Sequence, residues 1–294
     1  MARPSKLEVA AVNIRIPKDR DRDYGALVSE IFALKRGLRV YSDQYLAITE
    51  FNEESNVGVL SKYSEIEIDG DWFDVDSFGK AAPDVVENVS IPNNLRPNLS
   101  SFDFVLSESS HLFIFEAYSG SKALSPRFVE KYLQTIVKQP NITSRFGFVE
   151  VDVVNNIDEV DRILSLPALK ELELTIRRPN TDGWPTDLAN QVEERLAEQN
   201  GRELTEKLVS TADNSLSPNM RTKQLAHVAA ENGSVRGKAI VDGLTKKFDS
   251  AIRPLRLSES YFSEDSPAKN IFFKLARELV AKVTSIRESL RGGS

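Results

Sequence analysis

Apolar residues in the first third of the chain follow a strand period and then a helix period. Residues 7–16 are rich in Val and Ile, which favours a strand. The apolar residues between 24 and 36 are three and four apart, which predicts an amphipathic helix ending at Gly37. Residues 38–50 and 57–68 predict two further strands. We therefore expect an N-terminal α/β domain over residues 1–100, closed by a segment rich in proline and asparagine.

The middle third predicts a ferredoxin-like domain over residues 101–182. Two aromatic-rich runs, 102–106 and 112–117, are separated by a short polar segment and predict a β-hairpin. Ser125 followed by Pro126 is typical of a helix N-terminus. The apolar pattern beyond it adds a strand, a second helix and a last strand. The resulting order, β-β-α-β-α-β, is typical of two helices packed over one face of a sheet.

The last range, 183–294, predicts helices, a basic β-hairpin and a long terminal helix. The hairpin spans 235–257 and turns at Asp242–Gly243, and the terminal helix spans about 267–290. Apolar residues recur in that helix every three or four positions, as in a coiled-coil seam. They are Phe272, Ala276, Leu279, Val283, Ile286 and Leu290. This seam predicts either a homodimer interface or packing on the chain's own core, within a fold that is α+β as a whole.

Composition excludes several classes of site. The 294 residues include no cysteine and two histidines, which excludes disulfides, thiolate zinc sites, iron–sulfur clusters and a cysteine nucleophile. No stretch approaches the roughly 20 apolar residues of a membrane span, and the N-terminus lacks the apolar region of a secretory signal. We therefore expect a cytoplasmic protein without direct membrane insertion.

Charge is unevenly distributed along the sequence. Residues 41–120 hold 15 acidic and 3 basic side chains, whereas residues 221–258 hold 8 basic and 3 acidic ones. A basic segment of this kind can neutralise nucleic-acid phosphates, although it is also what a solvated surface looks like. The candidate nucleic-acid contacts are the cations of this segment and the pair before Pro179. They are Arg177, Arg178, Arg221, Lys223, Arg236, Lys238, Lys246, Lys247, Arg253 and Arg256.

Searches for catalytic motifs assign no catalytic residue, metal site or cofactor. The sequence has no Walker A motif, no GxGxxG after a strand and no GxSxG elbow. His111 and His227 are expected to be structural or solvated. Glu65, Glu67 and Asp69 alternate on a predicted strand and could share Mg²⁺, as could Asp103 with Glu116, but neither group has the adjacent lysine of metal-dependent nucleases. We interpret Glu65, Glu67 and Asp69 as solvated.

Five segments carry a resemblance to known proteins: 12–16 (VNIRI), 91–98 (IPNNLRPN), 124–133 (LSPRFVEKYL), 172–180 (LELTIRRPN) and 225–233 (LAHVAAENG). Together they resemble an uncharacterised bacterial family found in defence-related and mobile gene neighbourhoods. More weakly, the order of a strand, a helix, a basic hairpin and a long terminal helix resembles RexA-type phage-exclusion proteins. That second resemblance implies a DNA-binding dimer that acts with a membrane partner.

Three functions from different classes follow from these observations. The first is a non-enzymatic nucleic-acid-binding protein of phage defence or exclusion, binding DNA without strong sequence preference. The second is a protein-binding sensor or assembly subunit of a defence system, favoured by the terminal seam and the acidic first range. The third is a Mg²⁺-dependent nuclease, which rests on the carboxylates alone.

Overall fold

The computed structural model describes residues 4–67, 70–179, 187–262, 264 and 266–289. Within these residues the α-helices are α1 (Tyr24–Ala33), α2 (Pro83–Val86), α3 (Pro126–Ile136), α4 (Pro140–Phe146), α5 (Ile157–Leu164), α6 (Asp187–Glu198), α7 (Met220–Asn232) and α8 (Ala268–Ser289). The strands are β1 (Ser5–Arg15), β2 (Leu38–Tyr41), β3 (Gln44–Asn52), β4 (Val57–Ser64), β5 (Phe73–Asp74), β6 (Gly79–Lys80), β7 (Ser100–Ser107), β8 (Leu112–Ser119), β9 (Lys122–Ala123), β10 (Glu150–Val153), β11 (Leu169–Arg177), β12 (Glu203–Val209), β13 (Gly233–Val241), β14 (Leu244–Asp249) and β15 (Arg256–Tyr261).

A nine-stranded sheet forms the larger part of the molecule. Its main strand order is β10-β1-β8-β7-β4-β3-β2, and each strand in this order pairs antiparallel with the next. Two strands pair with the same edge of β1: β15 pairs with the first half of β1, and β10 pairs with its second half. This strand therefore holds the N-terminal, middle and C-terminal parts of the chain together.

The two faces of the large sheet are covered by different helices. Successive side chains of a strand point to opposite faces, so β1 contributes Ala10, Val12 and Ile14 to one core and Leu7, Val9 and Ala11 to another. The first core is closed by α1, α3 and α4, and the second by α8. The four seam residues Phe272, Ala276, Leu279 and Val283 are at most 3% exposed in this second core.

A second sheet, ordered β12-β11-β13-β14, carries α5, α6 and α7 on one face. Alternation on β11 turns Leu172, Leu174 and Ile176 toward these helices. Gly233, where α7 passes directly into β13, permits the close approach of β13 to β11. A Cβ at this position would lie 2.1 Å from the Thr175 carbonyl oxygen. The opposite face of this sheet is polar and partly exposed.

The fold is mixed α and β, as expected, but its strands are grouped differently from the prediction. The ferredoxin-like unit is not one sheet, because β7, β8 and β10 lie in the large sheet and β11 lies in the second one. The large sheet also takes strands from each of the ranges 1–100, 101–182 and 183–294. The expected basic hairpin forms from β13 and β14 with a turn at Asp242–Gly243, but the chain beyond Asp249 leaves it. β15 crosses to β1 instead.

Of the two alternatives for the terminal seam, the structure shows packing on the chain's own core. Phe272, Ala276, Leu279 and Val283 pack against β1 and β8 of the same chain, so they offer no surface to a second copy. Ile286 is half-buried, and Leu290 lies outside the described residues. Among the described helices, none is long and apolar enough to cross a membrane.

Replacing Leu279 with aspartate tests where the seam packs. Leu279 is fully buried, so we expect Leu279→Asp to lower the free energy of unfolding by at least about 3 kcal/mol, through a lost apolar contact and an unpaired buried charge. Thr284→Asp introduces the same side chain at an exposed position of the same helix and should change it by less than about 0.5 kcal/mol. Urea unfolding followed by circular dichroism measures both. If the Leu279→Asp protein kept the wild-type urea midpoint but changed from dimer to monomer, the seam would be a dimer interface instead.

Candidate functional site

Arg236 and Lys238 of the basic hairpin lie on the polar face of the second sheet, opposite carboxylates of neighbouring strands. The Arg236 guanidinium lies 3.3 Å from Glu173 Oε1 on β11 and 3.2 Å from Asp249 Oδ2 on β14. Lys238 Nζ lies 2.8 Å from Glu171 Oε2, and Lys207 of β12 binds the same oxygen at 3.2 Å. Hydrogen bonds from Lys238 and Lys207 lower the pKa of Glu171 below its usual range.

This arrangement corrects the expectation of a free cationic ribbon. The strand register sets Arg236 opposite both Glu173 and Asp249, so the contacts follow from sheet pairing. Each of these pairs compensates a charge that would otherwise face a phosphate. Lys246 is likewise 3.2 Å from Asp242 Oδ2 at the turn. Lys247 is exposed and has no ion pair among the described residues.

The other predicted cations are dispersed. Arg253 follows a short 3₁₀ turn and lies 3.7 Å from Glu159 Oε2, and Arg256 on β15 lies 2.9 Å from Glu8 Oε2. Both are therefore outside the hairpin that was expected to contain them. Arg221 and Lys223 are exposed near the N-terminus of α7, and within the described chain neither forms an ion pair.

Arg177 takes part in a buried junction between the two sheets. Asp152 of β10 is 1% exposed and accepts one hydrogen bond from Arg15 of β1 and another from Arg177 of β11. Arg177 also lies 3.4 Å from Glu203 Oε2, and neighbouring Arg178 donates to the Gly201 carbonyl oxygen at 3.1 Å. The sequence did not indicate that Arg177 is part of this junction, because its partner Asp152 is remote in the chain.

The same junction holds the C-terminus of α7. The last carbonyl groups of a helix have no partner inside the helix and carry a partial negative charge. Arg15 Nη1 donates to the Glu231 carbonyl oxygen at 3.3 Å, and Asn155 Nδ2 donates to that of Ala230 at 2.9 Å. The Glu231 side chain binds Arg287 of α8 at 2.8 Å. The predicted cation Arg177 therefore belongs to a structural network that joins both sheets, α7 and α8.

A basic surface that the sequence analysis did not single out lies where α1 ends beside α3. Its members are the exposed residues Lys35, Arg36, Lys131 and Lys138, which we call the α1–α3 basic surface. Arg36 Nη1 is 2.9 Å from Gln139 Oε1, and Lys131 Nζ is 2.8 Å from the Val40 carbonyl oxygen. These two contacts bring the end of α1, β2 and the outer side of α3 together.

The cations of this surface differ from those of the hairpin in one respect. No carboxylate among the described residues lies within ion-pair distance of any of the four. Lys131 lies on α3, and Lys138 lies in the turn that follows the end of α3 at Ile136. No local pattern in the sequence indicated this surface, because the meeting of residues 35–36 with 131–138 depends on tertiary structure.

The candidate carboxylates do not form a metal cluster in the described residues. Glu65 and Glu67 follow the end of β4 rather than lying on a strand. Glu65 Oε1 is 3.2 Å from the Arg96 guanidinium. Asp69 lies outside the described residues. Glu116 Oε2 accepts the Asp103 amide hydrogen at 3.1 Å, and burial raises the pKa of both carboxyl groups. Among described side chains, no group of three or more potential ligands is placed to hold a metal ion.

The histidines have structural contacts. The His111 ring stacks on Tyr24 with centroids 4.6 Å apart, and His227 Nε2 lies 2.7 Å from Asp161 Oδ1. Neither contact supplies a nucleophile with a base.

Removing the charge of Asp152 tests the junction. Asp152→Asn keeps the side-chain size but leaves two arginines close together in a buried place, so we expect a loss of about 3–5 kcal/mol in the free energy of unfolding. Asp161→Asn, at a carboxylate that is 56% exposed, is the matched control and should cost under about 1 kcal/mol. Urea unfolding of both variants measures the change in the free energy of unfolding. Equal midpoints for the two variants would show that Asp152 is not the link between the sheets.

Charge reversal tests the role of the hairpin. Arg236→Glu with Lys238→Glu places two further carboxylates beside Glu171, Glu173 and Asp249, so we expect a loss of about 1–2 kcal/mol in low salt. Arg221→Glu with Lys223→Glu makes the same change in net charge without breaking an ion pair between described residues and should be nearly neutral. Thermal melts at 20 and 500 mM salt report both effects, because added salt should restore part of the loss. An unchanged melting temperature for the hairpin variant in low salt would contradict the pairing.

The sequence match agrees with the resemblance to an uncharacterised family, while the similarity to RexA-type proteins and the link to defence stay predictions. No curated protein matches this sequence. The family match spans both sheets, the junction and the first part of α8. Over residues 5–277 the sequence fits the domain of unknown function DUF4747, and the chain therefore belongs to that family.

Proposed function

We propose that this protein is a non-enzymatic nucleic-acid-binding protein that contacts duplex DNA through the α1–α3 basic surface. One observation carries the proposal: four exposed cations adjoin one another with no carboxylate partner among the described residues. Paired cations on the hairpin must lose a partner before they can bind a phosphate, whereas these need not. The binding surface of the proposal therefore moves from the second sheet to the large one.

The chemistry of the surface favours phosphate contact over base reading. Duplex DNA presents one negative charge about every 1.7 Å of axis, so several cations on one surface can each meet a phosphate. Lysine ammonium groups bind phosphates as point charges and carry no base preference. About four phosphate contacts give a slope of log affinity against log salt near −3.6, or roughly a hundredfold loss between 50 and 200 mM.

A role in phage defence or exclusion is the wider part of the proposal and rests on the sequence resemblance alone. Such a role requires access to phage DNA, which a cytoplasmic protein would have. A homodimer would double the number of phosphate contacts, but its interface must lie outside the buried residues of α8.

Fluorescence anisotropy with a labelled 20-base-pair duplex tests the proposal directly. We expect Lys35→Glu with Lys138→Glu to weaken binding at least tenfold at 50 mM salt and to reduce the salt slope by about two. Neither lysine side chain makes a hydrogen bond or ion pair with another described residue, so folding should persist. Arg221→Glu with Lys223→Glu makes the same change in net charge on α7, which packs on the second sheet, and should change affinity less than threefold.

Three results would contradict the proposal. The first is absence of binding by the wild-type protein at 50 mM salt. The second is an equal loss in both double variants, which would show a response to net charge rather than to this surface. The third is cleavage of the duplex when Mg²⁺ is added to the same samples, which would favour the nuclease alternative.

A further inference from the structure

The segment between β4 and β7 forms a lobe outside every core of the molecule. We call residues 65–67 and 70–99 the acidic lobe; it contains β5, β6 and α2. None of its residues is buried, and none belongs to the three hydrophobic cores. The lobe nevertheless contains a tryptophan, two phenylalanines and several aliphatic residues. Its apolar content is therefore not explained by packing within the described chain.

Aromatic and aliphatic side chains of the lobe are exposed to solvent. Phe78 is 84% exposed, Val75 is 77% exposed and Phe73 is 59% exposed. The rings of Phe73 and Phe78 meet edge to face with centroids 5.4 Å apart. Phe78 has a φ of 52°, a left-handed conformation that is uncommon for a bulky residue. Exposed apolar groups gathered on one element mark interaction surfaces more often than scattered ones do.

Charge on the lobe is strongly one-sided. Its two cations are already engaged, because Lys80 Nζ lies 2.5 Å from Asp71 Oδ1 and Arg96 lies 3.2 Å from Glu65 Oε1. Further carboxylates have no ion pair among the described residues. They are Glu67, Asp74, Asp76, Asp84 and Glu87.

A cleft opens within the lobe. It has a volume of about 470 Å³, within the range of ligand pockets. Trp72, Pro83 and Val86 provide an apolar lining, Asp71 and Lys80 provide an ion pair, and Glu87 provides a carboxylate with no ion pair among the described residues. Such a cleft accepts the aliphatic stem and the charged head of a lysine or arginine side chain.

We propose that the acidic lobe is a docking site for a partner protein, which it binds through a segment that combines arginine or lysine with apolar anchors. Apolar anchors pack on Phe73 and Phe78, and cations pair with the unpaired carboxylates. Like charge disfavours nucleic acid and anionic lipid at this surface. The site uses residues other than those of the α1–α3 basic surface and does not depend on the proposed DNA binding.

A labelled synthetic peptide of twelve alternating arginine and leucine residues is the probe. We expect saturable binding to the full chain in 150 mM salt, at least tenfold weaker with Phe73→Ser plus Phe78→Ser. Phe148→Ser removes a phenylalanine that is 83% exposed outside the lobe and should leave the affinity within twofold. An all-arginine peptide, which lacks the anchors, should bind at least fivefold more weakly than the probe, and a glutamate–leucine peptide should not bind.

Folding and alternative occupants are covered by separate measurements. Because the two phenylalanines are exposed, their serine variant should keep the wild-type melting temperature and DNA affinity. Asp76→Asn with Asp84→Asn tests the same site without touching an aromatic residue and should weaken the peptide at least threefold. Absence of saturable binding, or equal affinity for wild-type protein and both lobe variants, would overturn the proposal. Self-association that the serine variant abolishes, measured by sedimentation, would also overturn it by making a second copy the occupant.

Discussion

Asp152 accepts hydrogen bonds from arginines of both sheets, Arg15 and Arg177, at a place where almost no solvent reaches it. Removing one carboxylate and an arginine from water costs several kcal/mol per ion, and only close pairing recovers that cost. The junction therefore forms only when β10 is in register on β1 and the end of β11 has come to meet it. The polar end of α7 depends on the same place, because Arg15 and Asn13 both donate hydrogen bonds to the Glu231 carbonyl oxygen. This network therefore joins the second sheet and α7 to the large sheet.

Pairing of charges separates structural cations from available ones across the molecule. On the second sheet, Arg236 and Lys238 face carboxylates set opposite them by strand register. Beside the large sheet, Lys131 of α3 and Lys138 of the turn after it have no such partners in the described chain. The acidic lobe shows the reverse imbalance, with carboxylates in excess and its cations already paired. The α1–α3 basic surface and the acidic lobe are thus uncompensated surfaces of opposite sign within the described residues, and to these we assign binding.

The local pattern of apolar and turn residues predicted individual helices and strands better than it predicted how the strands pair into sheets. The stripe at 24–36, the Ser125–Pro126 start and the turn at Asp242–Gly243 correspond to α1, α3 and the β13–β14 hairpin. Each of these signals depends on residues a few positions apart. The grouping into sheets did not follow, because the pairing of β15 with β1 joins residues about 250 positions apart and leaves no local trace. For the same reason the count of basic residues in 221–258 could not show that Glu171 and Glu173 of β11 would neutralise them. The strand Glu203–Val209 was missed because its exposed faces give a weak apolar pattern.

Lysine footprinting in the presence of DNA tests most directly the claim that unpaired charge marks the binding surface. The protein is acetylated briefly in 50 mM salt with and without a 20-base-pair duplex, and the modification of each lysine is read by mass spectrometry. We predict that bound DNA slows acetylation of Lys35, Lys131 and Lys138 at least fivefold and leaves Lys238, Lys246 and Lys247 unchanged. Protection of the three hairpin lysines, with free reaction at the α1–α3 basic surface, would contradict the account.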